Sequence, residues 1–204
     1  MKEIIIATEN TGKLEEIKSL LGDTFDKFYC LKDFEEKISV DEDSSLYVAN
    51  ALKKARKVGD RFGIPTLADD SGLEVEALQG RPGVYSSRYG KNDDERIARL
   101  LAELKDIPWE QRKAVFKAYL VFYMPEQERC YLFYGELRGY IGFEKHGVKG
   151  FGYDPLFFVP ECNQYLAEME MGEKNALSHR GKALLALKDF LNVDFFRSPR
   201  FLNL

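Results

Sequence analysis

The feature of this sequence that most constrains its fold is a long β-hairpin pattern in the second half of the chain. Residues 114–124 and 129–141 are rich in Val, Tyr and Phe, and they are joined across Pro125-Glu126-Gln127. Two such runs of β-branched and aromatic residues around a short turn predict a pair of antiparallel strands. Any sheet that this chain forms is therefore expected to contain an antiparallel part.

The first half of the chain alternates predicted strands with predicted helices. A short apolar run at residues 4–7 indicates a buried strand, and a helical pattern follows the loop at residues 8–12. A second helix is predicted to begin after Ser45 and to stop at Gly59, and a third to start at about Asp94.

Residues 66–76 predict a further strand, interrupted by the polar stretch 69–72, and Ser178 is expected to cap a last helix. Because strands and helices alternate early and the hairpin comes later, the chain is predicted to form an α/β fold with a mixed sheet flanked by helices. Its length of 204 residues fits a single domain spanning residues 1–204.

Composition and charge exclude several classes of protein. Hydrophobic residues make up 45% of the chain and charged residues 31%, a balance typical of a folded globular protein rather than a disordered or membrane protein. The net charge of −4 gives no sign of the basic surface that a nucleic acid polymer requires. The three cysteines form no C-x-x-C pair, so neither a disulfide framework nor a zinc site is expected. Because the sequence shows no N-terminal signal core and no apolar run of membrane length, the predicted location is the cytoplasm.

Two predicted helices begin with cations, although helix N-termini carry partial positive charge and favour anions. Lys13 lies in the first turn of the first helix, and the last helix opens with the basic residues of 178–182. Gly12-Lys13 resembles the end of a Walker A loop, but Ala7 and Leu14 depart from that motif, so a P-loop is not predicted. Backbone donors and one lysine could still cradle phosphates at these helix ends. The alternative is an exposed lysine on an ordinary helix.

A second anomaly is the pair Asp69-Asp70 inside an otherwise apolar strand. Adjacent carboxylates there repel one another and lose hydration, and a divalent cation would resolve both problems. Glu42, just ahead of the second helix, is placed to reach the same metal together with Asn50 and Lys54. The alternative interpretation is a plain Asp-Ser-Gly turn.

A third anomaly is the loop at residues 150–155, where Phe151 lies between two glycines ahead of Asp154. Such a loop can lay an aromatic face against a nucleobase while its backbone and its acid meet the polar edges of the base. The alternative is a turn whose aromatic side chain packs in the core.

Taken together, these segments resemble the inosine triphosphate pyrophosphatase family, also described as dITP/XTP pyrophosphatases. The match extends over nearly the whole chain, and it is specific because motifs that are weak alone occur in the family's order and spacing. The stretches that carry the resemblance are residues 7–13, Glu42 with Asn50-Ala51, and residues 68–73, 82–89, 151–155 and 173–180.

The resemblance implies an elongated, twisted mixed sheet in two lobes, with the active site in a central cleft, and a homodimer. It implies Mg²⁺-dependent hydrolysis of ITP, dITP or XTP to the monophosphate and pyrophosphate, which clears deaminated purines from the nucleotide pool. One departure is Ala49, where the family often has an acid before Asn50, and it puts in doubt the contribution of the second helix to the metal site.

The resemblance also assigns roles to individual residues. Asp70, Lys13 and Glu42 form the catalytic set, in which Asp70 activates water. Glu42 and Asp70 bind the metal, and Asp69 is a further candidate ligand. The implied substrate pocket comprises Thr8, Glu9, Asn10, Thr11, Gly12, Lys13, Ser71, Phe151, Gly152, Tyr153, Asp154, Lys174, His179 and Arg180.

Charge and hydrogen bonding extend these assignments into a mechanism. Lys13 and Lys174 are expected to offset the charge of the triphosphate and of its pyrophosphate product. A donor from His179 or Arg180 to purine O6 would leave adenine mismatched. Guanine shares the O6 and N1–H edges with hypoxanthine, so its exclusion must come from pocket shape or backbone polarity near C2.

Two other functions are compatible with the sequence. A related pyrophosphatase for modified pyrimidine triphosphates would use the same lysine loop and metal-binding acids. A non-catalytic nucleotide-sensing module would keep the phosphate loop and the aromatic platform, but it would not need Glu42 and Asp70 together. The aromatic segment 195–204 is expected either to pack on the domain or to cover an interface.

Overall fold

The structure is a computed structural model that describes residues 2–192, so the alternatives for residues 195–204 lie outside it. The strands are β1 (Glu3–Ile6), β2 (Lys27–Cys30), β3 (Thr66–Val75), β4 (Lys113–Met124), β5 (Arg129–Ile141), β6 (Phe157–Val159) and β7 (Gln164–Tyr165). The α-helices are α1 (Thr11–Leu21), α2 (Tyr47–Phe62), α3 (Asp93–Glu103), α4 (Met171–Leu177) and α5 (His179–Phe190). Across these described residues, no helix is both long enough and apolar enough to cross a membrane.

The seven strands form one mixed sheet in the order β2-β1-β3-β4-β5-β6-β7. β1 runs parallel to β2 and β3, and every later pairing is antiparallel. The predicted hairpin is confirmed: β4 and β5 pair over their whole length, from Lys113 opposite Tyr140 to Met124 opposite Arg129. The α/β class with a mixed sheet flanked by helices is likewise confirmed, since α1 and α2 lie in the connections between the parallel strands and a short turn joins β4 to β5.

α2 continues beyond its predicted end at Gly59 and reaches Phe62, so that prediction is wrong. Gly63 then adopts a left-handed φ of 68°, and its N–H donates to the carbonyl oxygen of Gly59. Gly59 is required for a different reason, because a Cβ there would lie 2.6 Å from the Tyr123 ring. The first glycine therefore permits close packing of the helix on the sheet, and the second ends the helix.

β3 runs unbroken through the polar stretch at residues 69–72, so the predicted interruption is wrong as well. Every residue of β3 pairs with β4, including Asp69 opposite Leu120 and Asp70 opposite Tyr119. This pairing excludes the plain turn. Because successive strand residues point to opposite faces, the two acids lie on different sides of the sheet.

Three apolar clusters divide the sheet into two ends. At the end that contains β1, α1 and α5 pack over Phe122 on one face, and α2 packs over Ala68 on the other. The opposite end holds the third cluster, in which Leu100 of α3 and Phe157 of β6 pack against the far ends of β3, β4 and β5. This division accounts for the two implied lobes, and the cleft between them contains the site.

Candidate active site

A cavity of about 400 Å³ lies between the two ends of the sheet. Lys13, Glu42, Asp70 and Arg180, which come from separate elements, all line it. Its wall also contains most of the other residues that the sequence assigned to a substrate pocket, namely Thr8, Glu9, Asn10, Ser71, Phe151, Gly152, Tyr153, Asp154, Lys174 and His179. A cavity of this size is typical of small-molecule sites.

The loop between β1 and α1 forms one wall of the cavity. Asn10 caps α1, because its Oδ1 accepts a hydrogen bond from the backbone N–H of Lys13 at 3.0 Å. Thr8 Oγ1 accepts in turn from the backbone N–H of Asn10 at 3.1 Å. Thr11 is exposed and does not line the cavity, so its predicted contact with substrate has no support in this geometry.

Asp69 joins the starts of α1 and α5. Its Oδ1 accepts from Lys13 Nζ at 2.5 Å and from Ser71 Oγ at 2.8 Å, and its Oδ2 accepts from Arg180 Nε at 2.7 Å. Burial opposes ionisation of this carboxyl, but Arg180 and Lys13 outweigh burial and hold its pKa well below the usual range. The cations at the two helix starts are thus compensated by an acid of the protein itself.

Sequence analysis missed a second buried acid, Glu16, which connects α1 and α5 to Asp154. Glu16 bonds Arg180 Nη1 at 2.5 Å and Lys174 Nζ at 2.7 Å, and Lys174 Nζ also bonds Asp154. Burial favours the neutral acid, yet Arg180 and Lys174 outweigh it and lower the pKa of Glu16. A signal was available, because Glu16 lies three residues after Lys13 and therefore on the same face of α1.

Glu42 and Asp70 converge on the amino group of Lys54, on the face of the sheet that α2 covers. Lys54 Nζ lies 3.3 Å from Glu42 Oε1 and 3.7 Å from Asp70 Oδ1. Asn50 donates to Asp70 Oδ2 at 3.1 Å and exchanges two further hydrogen bonds with the backbone of Ser44. Burial raises the pKa of Asp70, although Lys54 opposes this effect.

Glu42 and Asp70 meet at the Lys54 amino group, whereas the sequence had suggested that Asn50 and Asp69 could also reach the metal. Asp69 lies on the opposite face and is ion-paired with Lys13 and Arg180, so it is not placed to bind the same metal. The Asn50 amide is likewise hydrogen-bonded within the protein. Between residues 2 and 192, no group of three or more His, Cys, Asp or Glu side chains is arranged to hold a metal ion.

The Phe151 ring forms a wall of the cavity and contacts two cations through its face. Lys174 Nζ is 4.8 Å from the centre of the ring, and Arg180 Cζ is 5.6 Å from it. Asp154 Oδ2 accepts from the backbone N–H of Phe151 at 2.9 Å, which fixes the loop. Gly12 packs against the ring so closely that a Cβ would lie 2.3 Å from it, so a side chain at this position would displace the aromatic wall.

The neighbouring loop residues Gly152 and Tyr153 make their hydrogen bonds to the lobe that contains α3. Tyr153 donates its hydroxyl to the Ser86 carbonyl at 3.0 Å, and its ring belongs to the apolar cluster around α3. Gly152 donates its N–H to Asp93 Oδ2 at 2.8 Å. Of the two aromatic residues in this loop, Phe151 is therefore the one that borders the cavity as an open wall.

His179 offers the cavity a buried polar atom. Its ring stacks on Phe116, with 4.7 Å between centroids and 8° between planes, and its Nδ1 has no hydrogen-bond partner in the region from 2 to 192. Burial, helped by Arg180, lowers the pKa of His179 well below its usual value, so the imidazole is neutral at pH 7. Each guanidinium nitrogen of Arg180 already donates to a protein oxygen, which makes His179 the better placed of the two predicted base contacts.

Comparison with known proteins gives a family match and several relatives. The family model described as "Ham1 family" matches residues 4–190. A Geobacter sulfurreducens protein named dITP/XTP pyrophosphatase is 47% identical over 194 residues, which cover 94% of this chain and 97% of the relative. A Halalkalibacterium halodurans protein of the same name is 43% identical over 195 residues, covering 94% of this chain and all of the relative.

Solved structures share the fold. The HAM1 protein from Coxiella burnetii superposes with a TM-score of 0.83 and 40% identity, covering 94% of this chain and 99% of that one. The Ham1 protein of Staphylococcus aureus superposes with a TM-score of 0.81 and 34% identity, covering 94% and 98%.

Proposed function

This chain belongs to the Ham1 family, and on that premise we propose that it hydrolyses ITP, dITP and XTP to the monophosphate and pyrophosphate. The observation that carries the proposal is the convergence of Lys13, Glu42, Asp70 and His179 on one cavity. The two relatives named above as dITP/XTP pyrophosphatases support the same substrate class. Removal of such deaminated purines would keep them out of the nucleotide pool.

The triphosphate would bind at the loop before α1. Lys13 Nζ points into the cavity from a side chain that is 16% exposed, and burial lowers its pKa although Asp69 opposes this. An anionic phosphate beside the amino group would further favour its charged form. Thr8 and Asn10 would orient the phosphate chain through the Thr8 hydroxyl and the Asn10 side-chain amide, because both residues line the same wall while their backbone N–H groups are bonded within the protein.

Lys174 would act indirectly, contrary to the expectation that it offsets the charge of pyrophosphate. It is 4% exposed and lies between Glu16 and Asp154, so its charge is already neutralised inside the protein. Its position over Phe151 instead suits a role in holding the aromatic wall in place.

Glu42 and Asp70 fit a site for Mg²⁺. Their carboxylates already share one cation, the Lys54 amino group, and Mg²⁺ is commonly held by one or two carboxylates together with substrate phosphates. When bound, Mg²⁺ would neutralise charge on the phosphate oxygens. Asp70 would also take a proton from the attacking water, and its raised pKa improves a carboxylate as a proton acceptor near neutral pH.

His179 would distinguish purines that carry oxygen at C6. A neutral imidazole can donate from one ring nitrogen and accept at the other, so the tautomer that donates at the cavity side would pair with O6. Adenine presents an amino group there, which would leave two donors facing each other. One unsatisfied buried polar group costs about 1–3 kcal/mol, or roughly 5- to 150-fold in selectivity.

The test is pyrophosphate release from a panel of ITP, dITP, XTP, GTP, ATP and dUTP, with Mg²⁺ and with EDTA. We expect turnover of the three deaminated purines only with Mg²⁺, and much lower kcat/KM for ATP. Faster turnover of a pyrimidine would favour the pyrimidine pyrophosphatase instead. Saturable binding of ITP without pyrophosphate release would favour the nucleotide-sensing module.

We also propose that the protein is a cytoplasmic homodimer and one cooperative folding unit. The dimer and the location follow from the resemblance and from the sequence. Light scattering coupled to size exclusion should give twice the chain mass of 23.5 kDa. Thermal unfolding followed at two wavelengths should show one shared transition, because the three apolar clusters are joined by the long strands β3, β4 and β5.

A further inference from the structure

The segment at residues 34–46, which carries Glu42, is held in place by side-chain contacts. It forms neither a helix nor a strand, and within residues 2–192 no hydrogen bond between two main-chain groups outside helices and strands involves residues 35–45. The position of Glu42 is therefore set by side-chain contacts, both of the segment's own Phe34 and Ile38 with the apolar cluster around α2 and of polar side chains from other elements. The anchors of this segment decide whether its carboxylate meets Asp70.

Most of these anchors come from α2. Lys57 Nζ donates to the Ser39 carbonyl at 2.6 Å, and Asn50 bonds both backbone groups of Ser44. The remaining α2 anchors are the ion pairs Lys53–Asp43, Lys54–Glu42 and Arg61–Glu36. All of them attach the segment to one wall of the cleft, and none touches the main chain of Glu42.

Among residues 2–192, Arg88 alone donates a hydrogen bond to the main chain of Glu42, and it comes from the opposite wall. Its Nη1 donates to the Glu42 carbonyl oxygen at 3.0 Å. Arg88 ends the 3₁₀ turn Gly83–Arg88, and its guanidinium lies 5.3 Å from the Tyr85 ring centre, over an open groove beside the segment. The side chain thus spans from the lobe that contains α3 to the segment on the α2 lobe.

We infer that Arg88 is a positioning residue for the metal site, an inference that rests on the proposed function. By fixing the Glu42 carbonyl, Arg88 limits rotation of the main chain that carries the carboxylate. Glu42 Oε1 and Asp70 Oδ1 then stay within reach of one cation, as their distances to Lys54 Nζ show. Without Arg88, the α2 anchors retain the segment, and the Lys54 ion pair still attracts the Glu42 carboxylate, but the main chain that carries this side chain is free to rotate.

The first test measures the segment itself, without metal or substrate. Glutamyl endopeptidase is added to metal-free protein, and cleavage after Glu42 is followed by mass spectrometry. Loss of one exposed charge-assisted hydrogen bond should raise local opening, and hence cleavage after Glu42, about 5-fold in Arg88→Met. Cleavage after Glu128, in the turn between β4 and β5, serves as the internal reference and should not change. An unchanged ratio of the two cleavage rates would show that Arg88 does not hold the segment in place.

The second test measures the metal requirement. With ITP saturating, the Mg²⁺ concentration for half-maximal rate should rise about 5-fold in Arg88→Met, while KM for ITP at saturating Mg²⁺ stays within about twofold. Arg88→Lys keeps a donor and should recover part of the difference. Arg138→Gln removes a surface arginine whose one side-chain partner among residues 2–192 is Glu136, and it should match the wild type in both tests.

The outcomes distinguish a failure of the inference about Arg88 from a failure of the proposed function. If KM for ITP rises as much as the Mg²⁺ requirement, or if Arg88→Lys and Arg88→Met are equally impaired with unchanged cleavage, Arg88 does not position Glu42. If the wild type releases no pyrophosphate from any deaminated purine, the proposed function fails, and the cleavage ratio still decides whether Arg88 holds the segment.

Discussion

Replacing Asp69 by Asn should destabilise the protein severely, because Asp69 is the only carboxylate within 4 Å of Lys13 in the described chain. The side chain of Asp69 is 1% exposed and bonds Lys13, Ser71 and Arg180. An asparagine keeps one carbonyl oxygen but turns an NH₂ group toward the other cation. Either Lys13 or Arg180 then faces a donor instead of an anion.

The magnitude follows from the burial of these groups. Removing one partner from a buried ion pair typically costs about 3–5 kcal/mol, since the remaining charge is left uncompensated. For a chain of this size that loss corresponds to a decrease in Tm of about 6–20 °C. Arg180 keeps Glu16, so the loss should fall mainly on Lys13 and stay near the lower end of this range.

The dependence on pH gives an independent check. The pKa of Asp69 is lower in the folded state than the value of about 3.9 expected in the unfolded chain, so its contribution is fully present above that value. It is lost as the pH falls toward the folded-state pKa. The difference between wild type and Asp69→Asn should therefore be largest near pH 7 and shrink below about pH 4.

The assay is urea unfolding at pH 7, 5 and 3.5, followed by circular dichroism. Asp94→Asn is the matched control, because Asp94 pairs with Lys145 on the surface and is 84% exposed. The control should change the free energy of unfolding little at any pH. If Asp69→Asn is no less stable than the control at pH 7, Lys13 is hydrated in the cavity and the reasoning about buried charge is refuted.

Three further predictions concern activity. Asp70→Asn should lower kcat by at least about 100-fold while changing the Kd for ITP only a few-fold, because it removes the proton acceptor and one metal ligand but not the phosphate loop. Calorimetric binding and steady-state kinetics together test this prediction, and near-normal turnover would contradict it. His179→Phe keeps the stack on Phe116 and should lower the ratio of kcat/KM for ITP over ATP about 10-fold; an unchanged ratio would remove His179 from base selection. Gly12→Ala should reduce kcat/KM mainly through KM, since the added Cβ displaces the Phe151 ring, and a wild-type KM would show that this ring does not border the base.

Local patterns in the sequence determined much of the fold. The hairpin of β4 and β5 followed from two runs of β-branched and aromatic residues around a turn, and the Ser178 cap followed from its residue type. Ser178 accepts a bond from the backbone three residues on, which is a short-range interaction that sequence encodes directly; Asn10 caps α1 in the same way, although this cap was not predicted. The order of elements and the family resemblance could be read in the same way.

Tertiary structure decided the features that depend on which elements become neighbours. In the sequence Gly59 resembles a helix end, but in the structure it allows the helix to pack closely on Tyr123. The polar stretch of β3 resembles a turn in the sequence, but in the structure it is paired with β4. Glu16 on α1 bonds Lys174 on α4 and Arg180 on α5, which are more than 150 residues away in sequence. No local pattern specifies such a pairing.

The adjacent acids show the division most clearly. Sequence placed Asp69 and Asp70 together as a charged anomaly, assigned Asp70 to the metal and gave Asp69 as a further candidate ligand. In the sheet they point to opposite faces, so Asp69 neutralises cations beneath α1 and α5 while Asp70 meets Glu42 beside α2. Residue type determined that both would need a charged partner, because a buried carboxylate is costly alone, and only the three-dimensional arrangement decided which partner each received.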